Sequence, residues 1–212
     1  MHAPVIVCLI GAACFAVGDW VAKLRRRARL EYVCKPATLA LLVAAAVLLV
    51  PMHDAGARRV WFVAALACSL VGDVLLMLPT DAFVAGLGAF LVGHVLYVAG
   101  FWSHGPGGAV FAAVAVAVCL VVAPVGVRIL RALRDDRALA GPVALYMVVI
   151  AAMAASALSS GDAFAAVGAV LFVTSDAMIA WNRFVRPFSA AEVGIMVTYH
   201  LGQAGLVLSL VH

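Results

Sequence analysis

Two aspartates stand inside long apolar stretches of the chain. Asp73 lies in "SLVGDVLLMLP" and Asp176 lies in "LFVTSDAMIAW", each directly after a small residue and five residues before the end of its apolar stretch. Small residues let helices approach closely, so they can bring such carboxyls together. Two neighbouring carboxyls in a low-dielectric site tend to share a proton. This pattern predicts a pair in which one carboxyl is protonated and the other ionised.

Other polar side chains lie in or at the ends of apolar stretches and are candidate substrate-binding residues: Lys35, Ser69, His94, Tyr97, Ser175, Tyr199 and His200. Polar groups in such surroundings normally face a bundle interior or a wet cavity. His94 and His200 fall near the middle of their stretches, where a histidine can also serve a single structural hydrogen bond. Lys35 opens a stretch, so a topology signal is its structural alternative.

The composition identifies lipid as the surrounding solvent. The 212 residues are 67% hydrophobic and 11% charged, whereas soluble domains are about 45–50% apolar and about 25% charged. The net charge of +4 comes from basic residues in short loops, which favours a topological role over nucleic-acid binding. The five cysteines lie in or beside apolar stretches without metal-ligand spacing. We therefore expect an integral membrane protein without a disulfide framework.

The apolar stretches predict an all-α bundle of eight transmembrane helices. A bilayer core needs about 20 apolar residues per helix. Eight segments approach that length, at residues 4–22, 33–51, 60–78, 83–102, 109–130, 141–158, 163–181 and 190–211. The connecting loops are short, so we expect one integral membrane domain over residues 1–212.

Basic residues predict the orientation of the bundle. Twelve of the fourteen Lys and Arg residues lie in or beside the first, third, fifth and seventh loops. Such loops face the cytoplasm, which places both termini on the non-cytoplasmic side. The third and seventh segments then run in the same direction. Asp73 and Asp176 should therefore lie in one layer near the cytoplasmic face, beside Lys35.

Four sequence blocks resemble the YhhN family of eight-helix membrane proteins, which includes the mammalian lysoplasmalogenases. The blocks occur in order and cover most of the chain: "KPATLALL" from residue 35, "SLVGDVLLMLP" from 69, "FVAGLGAFLVGHVLY" from 83 and "GAVLFVTSDAMIAWNRF" from 168. The resemblance implies a multi-pass protein of the cell membrane. It also implies hydrolysis of the vinyl ether of a lysoplasmalogen to a fatty aldehyde and a glycerophospho-alcohol.

The candidate residues suit that implied reaction. A vinyl ether is hydrolysed through protonation of its β-carbon, which needs a carboxylic acid as general acid. An ionised carboxylate would stabilise the oxocarbenium ion that forms. Asp73 and Asp176 can divide these roles, and Lys35 is the expected contact for the substrate phosphate. No metal, cofactor or nucleophilic serine is required; the expected partner is a lysophospholipid in the bilayer.

Two other functions remain open at this stage. His94, His200 and an aspartate could bind zinc in a metal-dependent lipid hydrolase. Buried acids and histidines also form proton relays in proton-coupled transporters. Turnover in EDTA separates the first alternative from acid catalysis, and transport without lipid turnover would favour the second.

Overall fold

A computed structural model of the chain describes residues 2–49, 56–80, 82–103 and 108–211. This part of the chain contains helices and no strands, which confirms the all-α prediction. A π-helical turn at Trp181–Val185 continues the seventh helix. The α-helices of the described residues are α1 Ala3–Leu24, α2 Ala28–Leu48, α3 Gly56–Met77, α4 Phe83–Trp102, α5 Gly108–Ala132, α6 Arg137–Ser159, α7 Ala163–Ala180 and α8 Ala191–Leu208.

Within the described residues, seven helices are long and apolar enough to cross a membrane, judged by length and composition. These spans support a multi-pass membrane protein. The eighth predicted span corresponds to α8, which exists where it was predicted but is not among the seven. It carries Glu192, His200 and Gln203, and these polar residues reduce its hydropathy. His200 and Gln203 are nevertheless buried in the bundle.

The loop between α1 and α2 is shorter than the sequence suggested. We expected residues 23–32 to separate the first two spans, but α2 begins at Ala28. Residues 28–32 include good helix formers, and these extend α2 when a neighbouring helix supports them. An ion pair of 2.6 Å between Lys23 Nζ and Glu31 Oε1 supplies that support by joining the two helix ends. The predicted end of the second span, at residues 50 and 51, lies outside the described residues.

Close backbone contact joins α7 to α8. A Cβ atom placed on Gly168 would lie 2.8 Å from the carbonyl oxygen of Gly202 and 2.8 Å from the amide nitrogen of Leu206. Only glycine allows two helices to approach so closely. This contact positions α7, and with it Asp176, against the buried face of α8.

Helix α5 lies at the edge of the bundle. It packs against α6 and the π-helical turn but scarcely touches α7. Only Gly126 and Ile129 are buried on this helix. The loose packing leaves a space between α5 and α7.

Candidate active site

Asp73 forms a buried ion pair. Its carboxyl is 1% exposed and lies 3.2 Å from Lys35 Nζ through Oδ1. The Tyr199 hydroxyl donates a hydrogen bond of 2.7 Å to Oδ2. A buried carboxylate needs such partners to stay ionised. Lys35, expected to meet a substrate phosphate, instead points into the bundle, because α2 turns this side chain towards α3.

A chain of hydrogen bonds continues from Asp73 into the bundle. The Tyr97 hydroxyl donates to Gln203 Oε1 at 2.6 Å, and Gln203 Nε2 donates to the Tyr199 hydroxyl at 3.5 Å. Tyr97 and Gln203 are fully buried. The two tyrosines predicted to bind substrate therefore hold the carboxylate of Asp73 in place.

Asp176 lies in a second polar cluster, on α7. The Tyr146 hydroxyl donates a hydrogen bond of 2.5 Å to Oδ2 of Asp176. His94 Nε2 lies 3.6 Å from the same oxygen. These partners come from α6 and α4, so three helices build this cluster.

One ring nitrogen of His94 is hydrogen-bonded within α4, and the other faces Asp176. His94 Nδ1 lies 2.7 Å from the carbonyl oxygen of Phe90. A carbonyl only accepts, so Nδ1 carries the hydrogen and a neutral ring has a lone pair at Nε2. If Asp176 were ionised, its carboxylate oxygen and the Nε2 lone pair would be two acceptors facing each other. A protonated Asp176 would remove this conflict; at 3.6 Å the two groups are not hydrogen-bonded, and Nε2 has no hydrogen-bond partner in the described part of the chain.

An aromatic ring separates the two clusters. Phe172 contacts the ring of His94 at 4.7 Å and the ring of Tyr199 at 5.4 Å, measured between centroids. Each carboxyl of the predicted pair thus has its own set of polar partners.

A cavity of about 430 Å³ lies between α5 and α7 and reaches Asp176. Asp176 and Tyr146 supply polar groups on a wall that is otherwise mostly apolar. The side chain of Asp176 is 13% exposed, whereas Asp73 does not line the cavity. Only Asp176 of the two can touch a molecule in this space. Apolar lining residues include Val125, Ile129, Met147, Ile150 and Val173.

The two serines predicted to bind substrate make contacts within the bundle. The Ser69 hydroxyl donates to the carbonyl of Ala65 at 3.0 Å. The Ser175 hydroxyl donates to the carbonyl of Ile195 at 3.1 Å, which joins α7 to α8. Both serines are fully buried and outside the cavity lining, because each side chain lies on the inner face of its helix.

His200 lies in a different place from His94. Its Nδ1 accepts a hydrogen bond of 3.1 Å from Trp20 Nε1 on α1. Asp19, which directly precedes Trp20 in the chain, is fully buried. Neither of its carboxyl oxygens has a hydrogen-bond partner among the described residues. In the described ranges, no three His, Cys, Asp or Glu side chains are placed to hold a metal ion. The zinc site considered from the sequence is therefore not formed by these residues.

Comparison with known proteins identifies the family. The model of the YhhN family matches residues 30–210. The chain belongs to the YhhN family. The resemblance drawn from the four sequence blocks is confirmed.

Several curated relatives of this YhhN protein carry the name lysoplasmalogenase. Lysoplasmalogenase TMEM86B of Homo sapiens is 37% identical over 150 residues, which cover 68% of this chain and 61% of the relative. The Lysoplasmalogenase of Mycobacterium bovis (strain ATCC BAA-935 / AF2122/97) is 39% identical over 171 residues, which cover 77% of this chain and 64% of the relative. The chain thus spans somewhat over three fifths of the relatives' length. No solved structure matches the chain significantly.

Two residues of the polar clusters in this YhhN chain were not among those predicted from the sequence. Tyr146 interrupts an apolar run in α6, and Gln203 interrupts one in α8. Such isolated polar residues could have been noticed. Their partners could not, because each hydrogen bond joins residues far apart in the chain.

Proposed function

We propose that the protein is a membrane-embedded lysoplasmalogenase-like hydrolase, which cleaves the vinyl ether of a lysoplasmalogen. The products are a fatty aldehyde and a glycerophospho-alcohol. The observation that carries the proposal is the Asp176 carboxyl on the wall of an apolar cavity, beside Tyr146 and His94. The names of the curated relatives support the same reaction.

Asp176 is the general acid of the proposed reaction. Its proton moves to the β-carbon of the vinyl ether, and the π electrons of the double bond form the new C–H bond. The ether oxygen shares the resulting positive charge as an oxocarbenium ion. The Tyr146 hydroxyl, 2.5 Å from Oδ2, stabilises the carboxylate that Asp176 becomes.

Water completes the reaction at the α-carbon. The oxygen of water bonds to this carbon, and the carboxylate of Asp176 takes one proton from the water. The hemiacetal then collapses: its bond to the glycerol oxygen breaks, and the hydroxyl proton passes to that oxygen. The enzyme ends in its starting protonation state.

Asp73 acts through its charge in this proposal. The cation of Lys35 and the hydrogen bond from Tyr199 favour its ionised form, and a negative charge there would oppose ionisation of Asp176. This favours the protonated form of Asp176 before the reaction. The negative charge of Asp73 also favours the cationic intermediate.

We further propose that α8 is the eighth span of a single membrane domain in the plasma membrane, with both termini outside the cytoplasm. The burial of α8 against α7 and α1 supports a spanning helix. The distribution of Lys and Arg supports the orientation. Reporter fusions at Ala138 and at the C-terminus should report opposite sides of the membrane. Agreement between the two reporters would contradict this topology.

The test of the proposed reaction uses purified protein and defined lysophospholipids with vinyl-ether, alkyl-ether or acyl chains. Mass spectrometry should detect aldehyde from the vinyl ether alone, and activity should persist in EDTA. In D₂O the aldehyde, reduced at once to the alcohol, should carry one deuterium on the carbon next to the carbonyl. Release of fatty acid from the acyl lipid, or loss of activity in EDTA, would contradict acid catalysis on a vinyl ether.

A further inference from the structure

Two arginines lie beside aromatic residues that line the cavity. The guanidinium of Arg183 lies 4.1 Å from the ring centroid of Phe83 and 5.9 Å from that of Phe184. The guanidinium of Arg128 lies 5.8 Å from the ring centroid of Trp181. All three aromatic residues line the cavity that contains Asp176. The two guanidiniums thus lie beside one end of a mostly apolar cavity, although neither arginine is among its lining residues.

The π-helical turn contributes to this end of the cavity. It contains Trp181, Arg183 and Phe184, and it packs against α5, which carries Arg128. π-Helical turns interrupt the regular α-helix and often occur at functional sites. Here the turn places the Arg183 guanidinium over the ring of Phe83, which itself contacts the ring of Phe184 at 5.6 Å between centroids.

The distance along α7 suits a lysophospholipid. Arg183 follows Asp176 by seven residues, or about 10 Å at the rise of an α-helix. Six covalent bonds join the vinyl α-carbon of a lysoplasmalogen to its phosphorus, which in an extended chain span about 7–8 Å. The reach of an arginine side chain covers the difference. A substrate with its vinyl ether at Asp176 therefore has its phosphate within reach of Arg183.

We propose that Arg183 and Arg128 bind the phosphate of the lysophospholipid substrate at this end of the cavity. This inference rests on the proposed function and specifies how the same site selects an anionic lysolipid. Arginine presents a planar set of N–H donors that matches a phosphate. The apolar wall complements the hydrocarbon chain, and the arginines complement the charge. The ammonium of Lys35, the contact suggested by the sequence, is paired with Asp73 inside the bundle.

The test compares two substrates that differ in the phosphate. One is a lysoplasmenylethanolamine and the other is the phosphate-free 1-alkenylglycerol. For Arg183→Ala, KM for the phospholipid should rise at least about tenfold with little change in kcat, as expected for a lost ground-state contact. The ratio of kcat/KM for the phospholipid to that for the alkenylglycerol should fall about tenfold. Arg128→Ala should change this ratio in the same direction.

Arg137→Ala is the matched control. Arg137 is the exposed first residue of α6 and is not among the residues that line the cavity. The variant removes the same charge from the same end of the bundle. Its substrate ratio should equal that of the wild type. An equal fall in Arg137→Ala would overturn the proposal, because general surface charge would then explain the effect.

Two further arms separate the remaining explanations. Vesicles of neutral phosphatidylcholine and vesicles with added phosphatidylglycerol should give the same ratios, since the bound phosphate belongs to the substrate. An effect of Arg183→Ala restricted to the anionic vesicles would assign the arginines to bilayer lipid and overturn the proposal. Binding of a radiolabelled alkyl-ether lysophospholipid, which contains no vinyl ether, should weaken about tenfold in Arg183→Ala.

Failure of the inference is distinguishable from failure of the proposed function. If the wild type hydrolyses the vinyl ether and Arg183→Ala keeps its substrate ratio, the phosphate site is wrong and the hydrolase stands. If the wild type hydrolyses neither substrate, the proposed function fails. The binding arm still decides the phosphate site in that case, because unchanged affinity in Arg183→Ala would overturn it.

Discussion

Tyr146 donates a hydrogen bond of 2.5 Å to Oδ2 of Asp176, across the contact of α6 with α7. The bond lies on the cavity wall, where a bound molecule can reach the carboxyl. The tyrosine ring also packs on His94, with centroids 5.2 Å apart. Tyr146 therefore orients the Asp176 carboxyl and packs on the imidazole that faces it.

Tyr146→Phe should lower kcat about tenfold, near the lower end of the effect of a hydrogen bond to a charged group. The phenylalanine ring keeps the packing on His94, so the melting temperature should change little. Steady-state assays on a lysoplasmenylethanolamine give the result. Tyr32→Phe is the control, because Tyr32 is 48% exposed on α2. Equal kcat in both variants would remove Tyr146 from the mechanism.

Asp176→Asn should lower kcat by at least about a hundredfold, the low end of general acid–base contributions. Asparagine keeps the size of the side chain and can still accept the Tyr146 hydrogen bond, so the protein should fold. Asp73→Asn should have a smaller effect of about tenfold, because Asp73 acts through its charge and does not line the cavity. Activity near the wild type in Asp176→Asn would contradict its role as the acid.

Lys35→Met should destabilise the protein by about 3–5 kcal/mol, since it leaves the buried Asp73 without its cation. The double variant Lys35→Met/Asp73→Asn removes both charges and should recover most of the lost melting temperature. Its activity should stay low, because the charge of Asp73 is still missing. Thermal unfolding in detergent measures the first effect. A stable Lys35→Met protein with a raised KM alone would restore the phosphate contact suggested by the sequence.

Gly168→Ala should destabilise the packing of α7 on α8 by about 1–3 kcal/mol, the usual effect of an added methyl group in a tight contact. Its Cβ would lie 2.8 Å from backbone atoms of α8, which cannot move like a flexible side chain. Gly88→Ala is the matched control, as nothing lies within 4 Å of the added Cβ. The control should unfold at or above the wild-type temperature. Equal unfolding temperatures would show that α7 and α8 can separate.

The sequence alone predicted the elements and the family. Apolar runs of about 20 residues identify spanning helices because a bilayer offers no partners for an open backbone. A bilayer also offers no partners for polar side chains, so Asp73, Asp176, His94 and Lys35 stand out in the sequence. Seven spans met the criteria for crossing a membrane. For α8, the buried His200 and Gln203 explain why composition identified it less well.

Only the tertiary structure decided which polar group faces which. Lys35 binds Asp73 instead of lying at the cavity, and Tyr146 of α6 completes the cluster at Asp176. The depth of a residue along its helix follows from the sequence, because the helical rise is constant. The rotation of each helix about its axis depends on packing against several neighbours at once. That rotation placed Asp73 inside the bundle and Asp176 on the cavity wall.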